Sequence, residues 1–398
     1  MAGYCLQAGA FHIRGKSPAR TRTGVEPLPS ASKAFMLSWH NANRALNTPL
    51  PAQTARHGAD FSADEIISPL DERVIASASE AMEAGQTHYV DVPGIGPLRE
   101  ALADYLNRAG GSAYEAGNII VTAGMQEARF LTIQKIGELF DSIGVPAVAH
   151  PGARKALGVR RRNIVSLPVD SARGYLPAID GIAAALAEGC RLLYLESPSR
   201  LSGAAYTADE VAAISQLVGE HDAAVIWDQG LAPWIDGDYN SLAALESTPT
   251  RVAALSDGWP GMGLSSWFLG AIAAPADWIP AMQSQKQIMA ICTATATQYA
   301  ALEAGQIYNE RRDERLAQMR RQREGALHAA AAAGLEVVAG AALNILALRA
   351  GAGGEAALAK LRESGADGAH FGAPDTVRLT ISNAAAAALR DATEKETE

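Results

Sequence analysis

The chain has little cysteine and no excess of basic charge. Its three cysteines, Cys5, Cys190 and Cys292, are scattered without paired spacing, which excludes a disulfide framework and a cysteine-based zinc site. The 34 lysines and arginines are outnumbered by 43 acids, so the net charge of −9 gives no footprint for nucleic acid. No apolar run approaches the length of a membrane span. We predict a cytoplasmic protein with no metal, nucleic-acid or membrane partner.

What the chain does contain is apolar surface for more than one core. Hydrophobic residues make up 48% and charged residues 19% of 398 residues, which is typical of a globular protein with a large domain and a smaller companion. We predict an N-terminal arm with part of the small domain at 1–65, a large α/β domain at 66–288 and a small α+β domain at 289–398. The basic first 51 residues are also typical of a transit peptide, but we favour an irregular arm.

The middle of the chain alternates strand-like and helix-like segments, which predicts βαβ units and a mainly parallel sheet. "LLYLESP" is a short apolar run that ends in turn residues. "YTADEVAAISQLVGEHD" then opens with Thr207 and Glu210 at capping-box spacing, and "AAVIWD" is the next buried strand. Functional groups cluster beyond the carboxyl ends of strands in such sheets. Residues 197–203 and 228–231 therefore lie at the predicted mouth of a site.

Four segments in a fixed order resemble the class I/II aminotransferases, the fold type I family that carries pyridoxal 5′-phosphate (PLP). They are "THYVDVPGIGPLREALADYL", "NIIVTAGMQEA", "VIWDQGLAP" and "DTVRLTISNA". The resemblance implies that Tyr89 reaches the cofactor phosphate across a homodimer. It implies a phosphate-binding turn at Gly124, Met125 and Gln126, an aspartate for the pyridine nitrogen at Asp228, and an arginine for the substrate carboxylate at Arg378.

The family's catalytic lysine is missing from the expected stretch, "RVAALSDGWPGMGLSSWFLG". One alignment with the family pattern places Asp257 at the lysine position, and a second places Pro260 there. An aspartate can carry a proton but cannot form the Schiff base that holds the cofactor. The "GWPGMG" part is too glycine-rich for a strand and predicts a backbone that a ligand or another chain approaches closely.

Other cofactor contacts of the family are replaced as well. The phosphate-binding arginine corresponds to Ser265 in the first alignment and to Phe268 in the second. The asparagine of the ring-hydroxyl loop corresponds to Arg200, the ring-contacting tyrosine to Leu231, and the stacking aromatic residue falls near Ala153. Among the other lysines, Lys155 is the best substitute and Lys286 the next, but both are predicted to face solvent.

These losses predict an aminotransferase-fold enzyme diverted from lysine-dependent transamination, acting on an amino acid or another carboxylate-bearing small metabolite. Arg378 would anchor the carboxylate, Arg200 would meet a second acidic group, and Asp257 and Asp228 would carry protons. Two alternatives stay open. One is an enzyme that binds PLP or its amine form, PMP, without a Schiff base, and the other is a non-catalytic binding or scaffolding protein.

Overall fold

The computed structural model of the chain describes residues 62–63, 70–159, 163–245, 251–264, 267 and 269–392. Its α-helices are α1 (Glu72–Glu83), α2 (Gly96–Gly110), α3 (Gly124–Lys135), α4 (Pro151–Val159), α5 (Ile179–Ala187), α6 (Ala208–Glu220), α7 (Ile279–Met289), α8 (Thr295–Ala332), α9 (Glu355–Leu361) and α10 (Asn383–Asp391). Its strands are β1 (Ile119–Ala123), β2 (Ser142–Pro146), β3 (Asn163–Leu167), β4 (Val169–Asp170), β5 (Leu176–Pro177), β6 (Leu192–Glu196), β7 (Ala224–Asp228), β8 (Val252–Ser256), β9 (Leu269–Ala273), β10 (Leu335–Val337), β11 (Ile345–Ala350), β12 (Ala366–Asp367) and β13 (Thr376–Thr380).

The largest sheet of the described residues has seven strands in the order β1-β9-β8-β7-β6-β2-β3. Neighbours from β8 to β3 pair in parallel, and β9 lies antiparallel between β1 and β8. Every residue of β6, β7 and β8 is buried, as expected for parallel strands that helices cover on both faces. The predicted α/β fold with a mainly parallel sheet is confirmed.

Helix α6 illustrates how local sequence determines an element of this layer. Thr207 Oγ1 accepts a hydrogen bond from the Glu210 N–H at 3.3 Å, and Glu210 Oε2 accepts one from the Thr207 N–H at 2.9 Å. The predicted capping box is therefore present. The core-facing side of the helix includes Val211, Ile214 and Val218.

The C-terminal part contains a four-stranded antiparallel sheet in the order β10-β11-β13-β12. Helix α8 precedes this sheet, is 38 residues long and packs against α1 and α10. Residues 52–398 form one compact unit, and the domain boundaries after residues 65 and 288 stay predictions. Within the described ranges, no helix has both the length and the apolar character that crossing a membrane requires.

The glycine-rich loop after β8 has positive φ at Gly258, Gly261 and Gly263. At Gly261 the close neighbours belong to the protein itself. A Cβ built there would lie 2.1 Å from Arg315 Nη2 and 2.9 Å from the ring of Trp234. At this glycine, the close approach predicted for a ligand or another chain comes instead from side chains of the protein itself.

Candidate functional site

The carboxyl ends of β6, β7 and β8 bring three predicted residues together. Arg200 follows β6, Asp228 ends β7, and Asp257 comes directly after β8. Arg200 Nη2 lies 2.8 Å from Asp228 Oδ1, and Arg200 Nη1 lies 3.0 Å from Asp257 Oδ2. These strands are parallel neighbours, so their ends meet at one edge of the sheet. Both alignments of the lysine segment stay predictions.

Asp228 is the centre of a group of charged residues that we call the arginine–aspartate cluster. The cluster consists of Arg129, Arg200, Asp228 and Asp257. Asp228 Oδ1 accepts hydrogen bonds from Arg200 Nε (3.0 Å), Arg200 Nη2 (2.8 Å) and the Gly230 N–H (3.2 Å). Asp228 Oδ2 accepts from Arg129 Nε (2.8 Å) and the Tyr194 hydroxyl (3.0 Å). An ionised carboxylate offers about four lone-pair sites, so these donors of the chain saturate Asp228.

The charges of the cluster determine what Asp228 can do. Burial by itself would raise its pKa, but Arg129 and Arg200 outweigh burial and hold the pKa of Asp228 well below its usual range. Such a carboxylate is a poor proton carrier near neutral pH, so the structure argues against the predicted acid–base role of Asp228. The fully buried guanidinium of Arg200 binds two aspartates of the chain, and its predicted contact with a second acidic group of a ligand stays a prediction.

Glu196 is a second buried acid of the site that was not predicted from the sequence. Its Oε1 accepts from the His150 N–H (2.7 Å) and lies 3.2 Å from the Tyr194 hydroxyl oxygen, and its Oε2 accepts from the Arg200 N–H (3.1 Å). Burial and the charge of Asp228 raise the pKa of Glu196 from 4.5 to about 7. Its place at the end of a buried strand, in "YLES", was the available sequence signal.

We expect Glu196→Gln to flatten the pH dependence of stability. A carboxyl with a raised pKa supports folding in its protonated form, so this support declines as pH rises from 4.5 to about 7. Asp228 does not contribute to this slope. Because its pKa is lowered, ionised Asp228 stabilises the fold at all pH values above the usual aspartate pKa, and this stabilisation is lost only at lower pH. Urea unfolding at a series of pH values measures how the free energy of unfolding changes with pH in the wild type and in Glu196→Gln. Equal slopes in wild type and variant would show that Glu196 does not titrate in this window.

Arg129 and Tyr194 complete the surroundings of Asp228, and neither was predicted. Arg129 lies on α3 and is buried, and Tyr194 lies within β6. An arginine inside the apolar stretch "ARFLTI" and a hydroxyl inside a buried strand both require partners. Neither pattern says which partner is used, because Arg129 and Asp228 are 99 residues apart in the chain.

Arg378 lies on β13, and its guanidinium is buried. Nη1 donates to the carbonyl oxygen of Arg200 at 3.1 Å, and Nη2 donates to that of Ser62. The guanidinium carbon lies 5.2 Å from the centre of the Phe371 ring, which the His150 ring meets edge-on. These two acceptors are neutral oxygens, and a planar guanidinium matches a carboxylate well. The predicted carboxylate anchor thus lies beside the main chain of Arg200.

The turn Gly124-Met125-Gln126 begins α3 directly after β1, as predicted. Gly124 has a φ of +74°, which L side chains rarely adopt, and Gly270 of β9 packs tightly against it. A Cβ on Gly270 would lie 2.7 Å from the Gly124 carbonyl carbon. Gln126 Nε2 donates to the Gly152 carbonyl oxygen at 3.0 Å, which connects the turn to the start of α4.

Lys286 does not face solvent, so that prediction was wrong. Its side chain is fully buried, and Nζ donates to Glu127 Oε1 (2.9 Å), Glu127 Oε2 (3.0 Å) and Thr293 Oγ1 (3.2 Å). Glu127, in the first turn of α3, also accepts the Ala123 N–H. The ion pair therefore connects α7 to α3, the helix that begins with the predicted phosphate-binding turn. Lys155 is exposed, as predicted.

Two predicted residues lie apart from these contacts. Tyr89 is 72% exposed, and the contact that the family resemblance implies for it requires a second subunit. Ser265 lies outside the described residues. The predicted roles of both stay predictions.

PLP matches one part of this site and not another. The turn at α3 suits a phosphate, but the ring position does not suit a pyridine. Asp228, the predicted partner of the ring nitrogen, is saturated, and the Arg200 guanidinium lies against it. Ala153, at the stacking position, is buried and offers no ring. In the part of the chain that is described, no lysine hydrogen-bonds to the arginine–aspartate cluster. The site as folded has no place for the ring against Asp228.

Comparison with known proteins identifies one family along most of the chain. The family model described as aminotransferase class I and II matches residues 60–395. An arginine–pyruvate transaminase of Pseudomonas aeruginosa is 27% identical over 252 residues, which are 60% of this chain and 64% of that protein. The match thus spans less than two thirds of this relative. An aspartate/prephenate aminotransferase of Thermus thermophilus is 27% identical over 276 residues, 67% of this chain and 70% of that protein.

Solved structures share the fold over nearly their whole length. An aspartate aminotransferase from Thermus thermophilus with maleate superposes with a TM-score of 0.72 at 23% identity, over 92% of this chain and 95% of that one. An aspartate aminotransferase from Rhizobium meliloti gives 0.76 at 20% identity, over 93% and 98%. At these identities the likeness establishes the fold alone. With the family model matching residues 60–395, the chain belongs to the class I and II aminotransferase family.

Proposed function

We propose that this protein binds a carboxylate-bearing small metabolite, such as an amino acid, in an aminotransferase-family cleft that no longer uses a lysine-tethered cofactor. The saturation of Asp228 by donors of its own chain carries the proposal. The absence of lysine from residues 251–270 supports it, since Asp257 cannot form an imine. The names of the relatives, among them an arginine–pyruvate transaminase and an aspartate/prephenate aminotransferase, support an amino-acid-like ligand.

Arg378 and Asp257 are the residues that we assign to this ligand. Arg378 would anchor the carboxylate, because its planar fork of N–H donors matches two carboxylate oxygens. Asp257 would transfer protons, because its side chain is 19% exposed whereas that of Asp228 is fully buried. An enzyme would need both residues, and a non-catalytic binding protein would need only the anchor.

The decisive experiment is incubation of the wild-type protein with PLP, followed by borohydride reduction and intact-mass measurement. We expect no covalent adduct, because no described lysine contacts the cluster. A stoichiometric adduct on a lysine would overturn the proposal. Equilibrium titration with PMP tests the alternative in which the cofactor binds without a covalent link, because tight stoichiometric binding of PMP would favour that alternative.

Ligand-induced stabilisation tests the carboxylate anchor. We expect a panel of amino acids and 2-oxo acids to contain compounds that raise the melting temperature of the wild type but not of Arg378→Gln. Arg320→Gln is the matched control, since this arginine is 47% exposed and pairs with Asp236 on the surface. Equal stabilisation of both variants would remove Arg378 from the ligand site. Turnover of a stabilising compound, lost in Arg378→Gln, would favour the enzyme over the binding protein.

We also propose a homodimer, and exposed apolar side chains near the end of α7 support it. Ile288 is 80% and Met289 45% exposed, and Tyr89 is 72% exposed. Thr295 Oγ1 donates to the His88 carbonyl oxygen at 2.8 Å, which brings the turn that carries Tyr89 next to the start of α8. Adjacent exposed apolar residues such as Ile288 and Met289 are typical of interaction surfaces.

Ile288→Asp is expected to shift the protein from dimer to monomer in light scattering coupled to size-exclusion chromatography. The buried charge would be unpaired in the interface and would cost several kcal/mol, roughly a hundred-fold or more in dimer affinity. Leu139→Asp is the control, because Leu139 is similarly exposed at 63% but follows α3. A monomeric wild type, or equal effects of the two variants, would contradict this assignment.

A further inference from the structure

The guanidinium of Arg200 occupies the space beside Asp228 and makes the contacts that a bound planar cation would make there. It is a planar cation, fully buried, whose Nε and Nη2 donate to Asp228 Oδ1 and whose Nη1 donates to Asp257 Oδ2. We infer that Arg200 is a tethered occupant of a pocket for planar, N–H-bearing cations, and that this side chain excludes external heterocycles from Asp228. The inference goes beyond the proposed function, because it names an added residue, and not only a lost lysine, as the barrier to the ring.

Gly230 is independent evidence that the pocket is built around the guanidinium. A Cβ at Gly230 would lie 1.8 Å from Arg200 Nη2 and 2.6 Å from Asp257 Oδ2, so no larger residue fits while Arg200 is in place. The Gly230 N–H also donates to Asp228 Oδ1 at 3.2 Å. The segment Asp228-Gln229-Gly230 thus provides both the anion and the space for a planar cation.

The main chain of Arg200 is held on both sides, which fixes where its side chain begins. Its N–H donates to Glu196 Oε2 at 3.1 Å, and its carbonyl oxygen accepts from Arg378 Nη1 at 3.1 Å. Arg129 and Arg200 balance the charges of Asp228 and Asp257. Removing the Arg200 charge leaves the cluster with an excess negative charge and a planar space beside Asp228, and a cation with ring N–H donors satisfies both.

Binding of PMP to Arg200→Ala tests this inference, because PMP has a protonatable ring nitrogen and no aldehyde for a lysine to capture. We expect Arg200→Ala to bind PMP roughly ten- to hundred-fold more tightly than the wild type in equilibrium fluorescence titration, the factor that one charge-assisted hydrogen bond supplies. Arg200→Ala with Asp228→Asn should lose this gain, and Arg200→Lys, which keeps a cation, should not show it. Equal PMP affinity in Arg200→Ala and wild type, or a gain that survives Asp228→Asn, would overturn the inference.

Steric coupling between Gly230 and Arg200 gives a second readout that needs no ligand. We expect Gly230→Ala to lower the urea midpoint of the wild type strongly and that of Arg200→Gln much less, because the shorter side chain relieves the overlap. Equal shifts in both backgrounds would show that Arg200 does not occupy this space. A lysine adduct in the wild type would overturn the proposed function, whereas the inference is judged by these two readouts, neither of which depends on an aldehyde.

Discussion

Asp257→Lys combined with Arg200→Asn is expected to let the protein take up PLP covalently. Asp257 directly follows β8, and its Oδ2 lies 3.0 Å from Arg200 Nη1, so a lysine at this position would reach the space that Arg200 leaves. Asp228 Oδ1 would lose its two Arg200 donors and become available to a ring nitrogen. Borohydride reduction and intact-mass measurement should show near-stoichiometric labelling of the double variant and none of the wild type.

Pro260→Lys combined with Arg200→Asn is the matched control for this gain of function. It also supplies an amine, but in the glycine-rich loop beyond the end of β8, as in the second alignment of the lysine segment. Labelling of this control in place of the first variant would show that Asp257 is not at the lysine position. Absence of labelling from both, with native circular dichroism, would mean that Arg200 and the missing amine are not the main barriers.

Lys286→Met is expected to lower the free energy of unfolding by about 3–5 kcal/mol. The substitution would leave Glu127 buried in the first turn of α3, with the Ala123 N–H as its described hydrogen-bond donor and no cation beside it. A folded protein has only about 5–15 kcal/mol of net stability, so the loss would be a large share of the total. Urea unfolding monitored by tryptophan fluorescence measures it.

Two companion variants show whether the Lys286 effect comes from the ion pair. Lys155→Met removes an exposed lysine of α4 and should change the free energy of unfolding by less than about 0.5 kcal/mol. Lys286→Met with Glu127→Gln should recover part of the loss, since an uncharged amide is cheaper to bury than an unpaired carboxylate. A Lys286→Met cost no larger than that of Lys155→Met would mean that the pair is not buried in solution.

Much of the fold could be predicted from short stretches of sequence. The capping box at Thr207 and Glu210, the strand that ends in Asp228 and the glycine turn at Gly124 all depend on neighbours within a few residues. The rule that parallel strands present their carboxyl ends at one edge also placed Arg200 near Asp228 before any distance was known. These predictions succeeded because hydrophobic period and turn chemistry are local properties.

The partners within the site could not be predicted in the same way. The segment "QSQKQIM" around Lys286 is polar, and nothing in it indicates that its lysine is buried against a glutamate 159 residues earlier. Arg200 is predicted to bind a ligand because its loop lies at the mouth of the site. Whether its guanidinium can also reach Asp228 depends on the distance between the two side chains, which the sequence does not give. Such distances are set by the packing of the seven-stranded sheet and its helices as a whole.

The sequence by itself determined the family scaffold, the order of its elements and the absence of an amine from residues 251–270. The tertiary structure decided how the remaining charges pair. Arg200 meets Asp228 across 28 residues, and Arg378 meets the Arg200 carbonyl across 178. The physical reason is that a buried charge must find a partner, and which partner it finds depends on groups that only folding brings within hydrogen-bond distance.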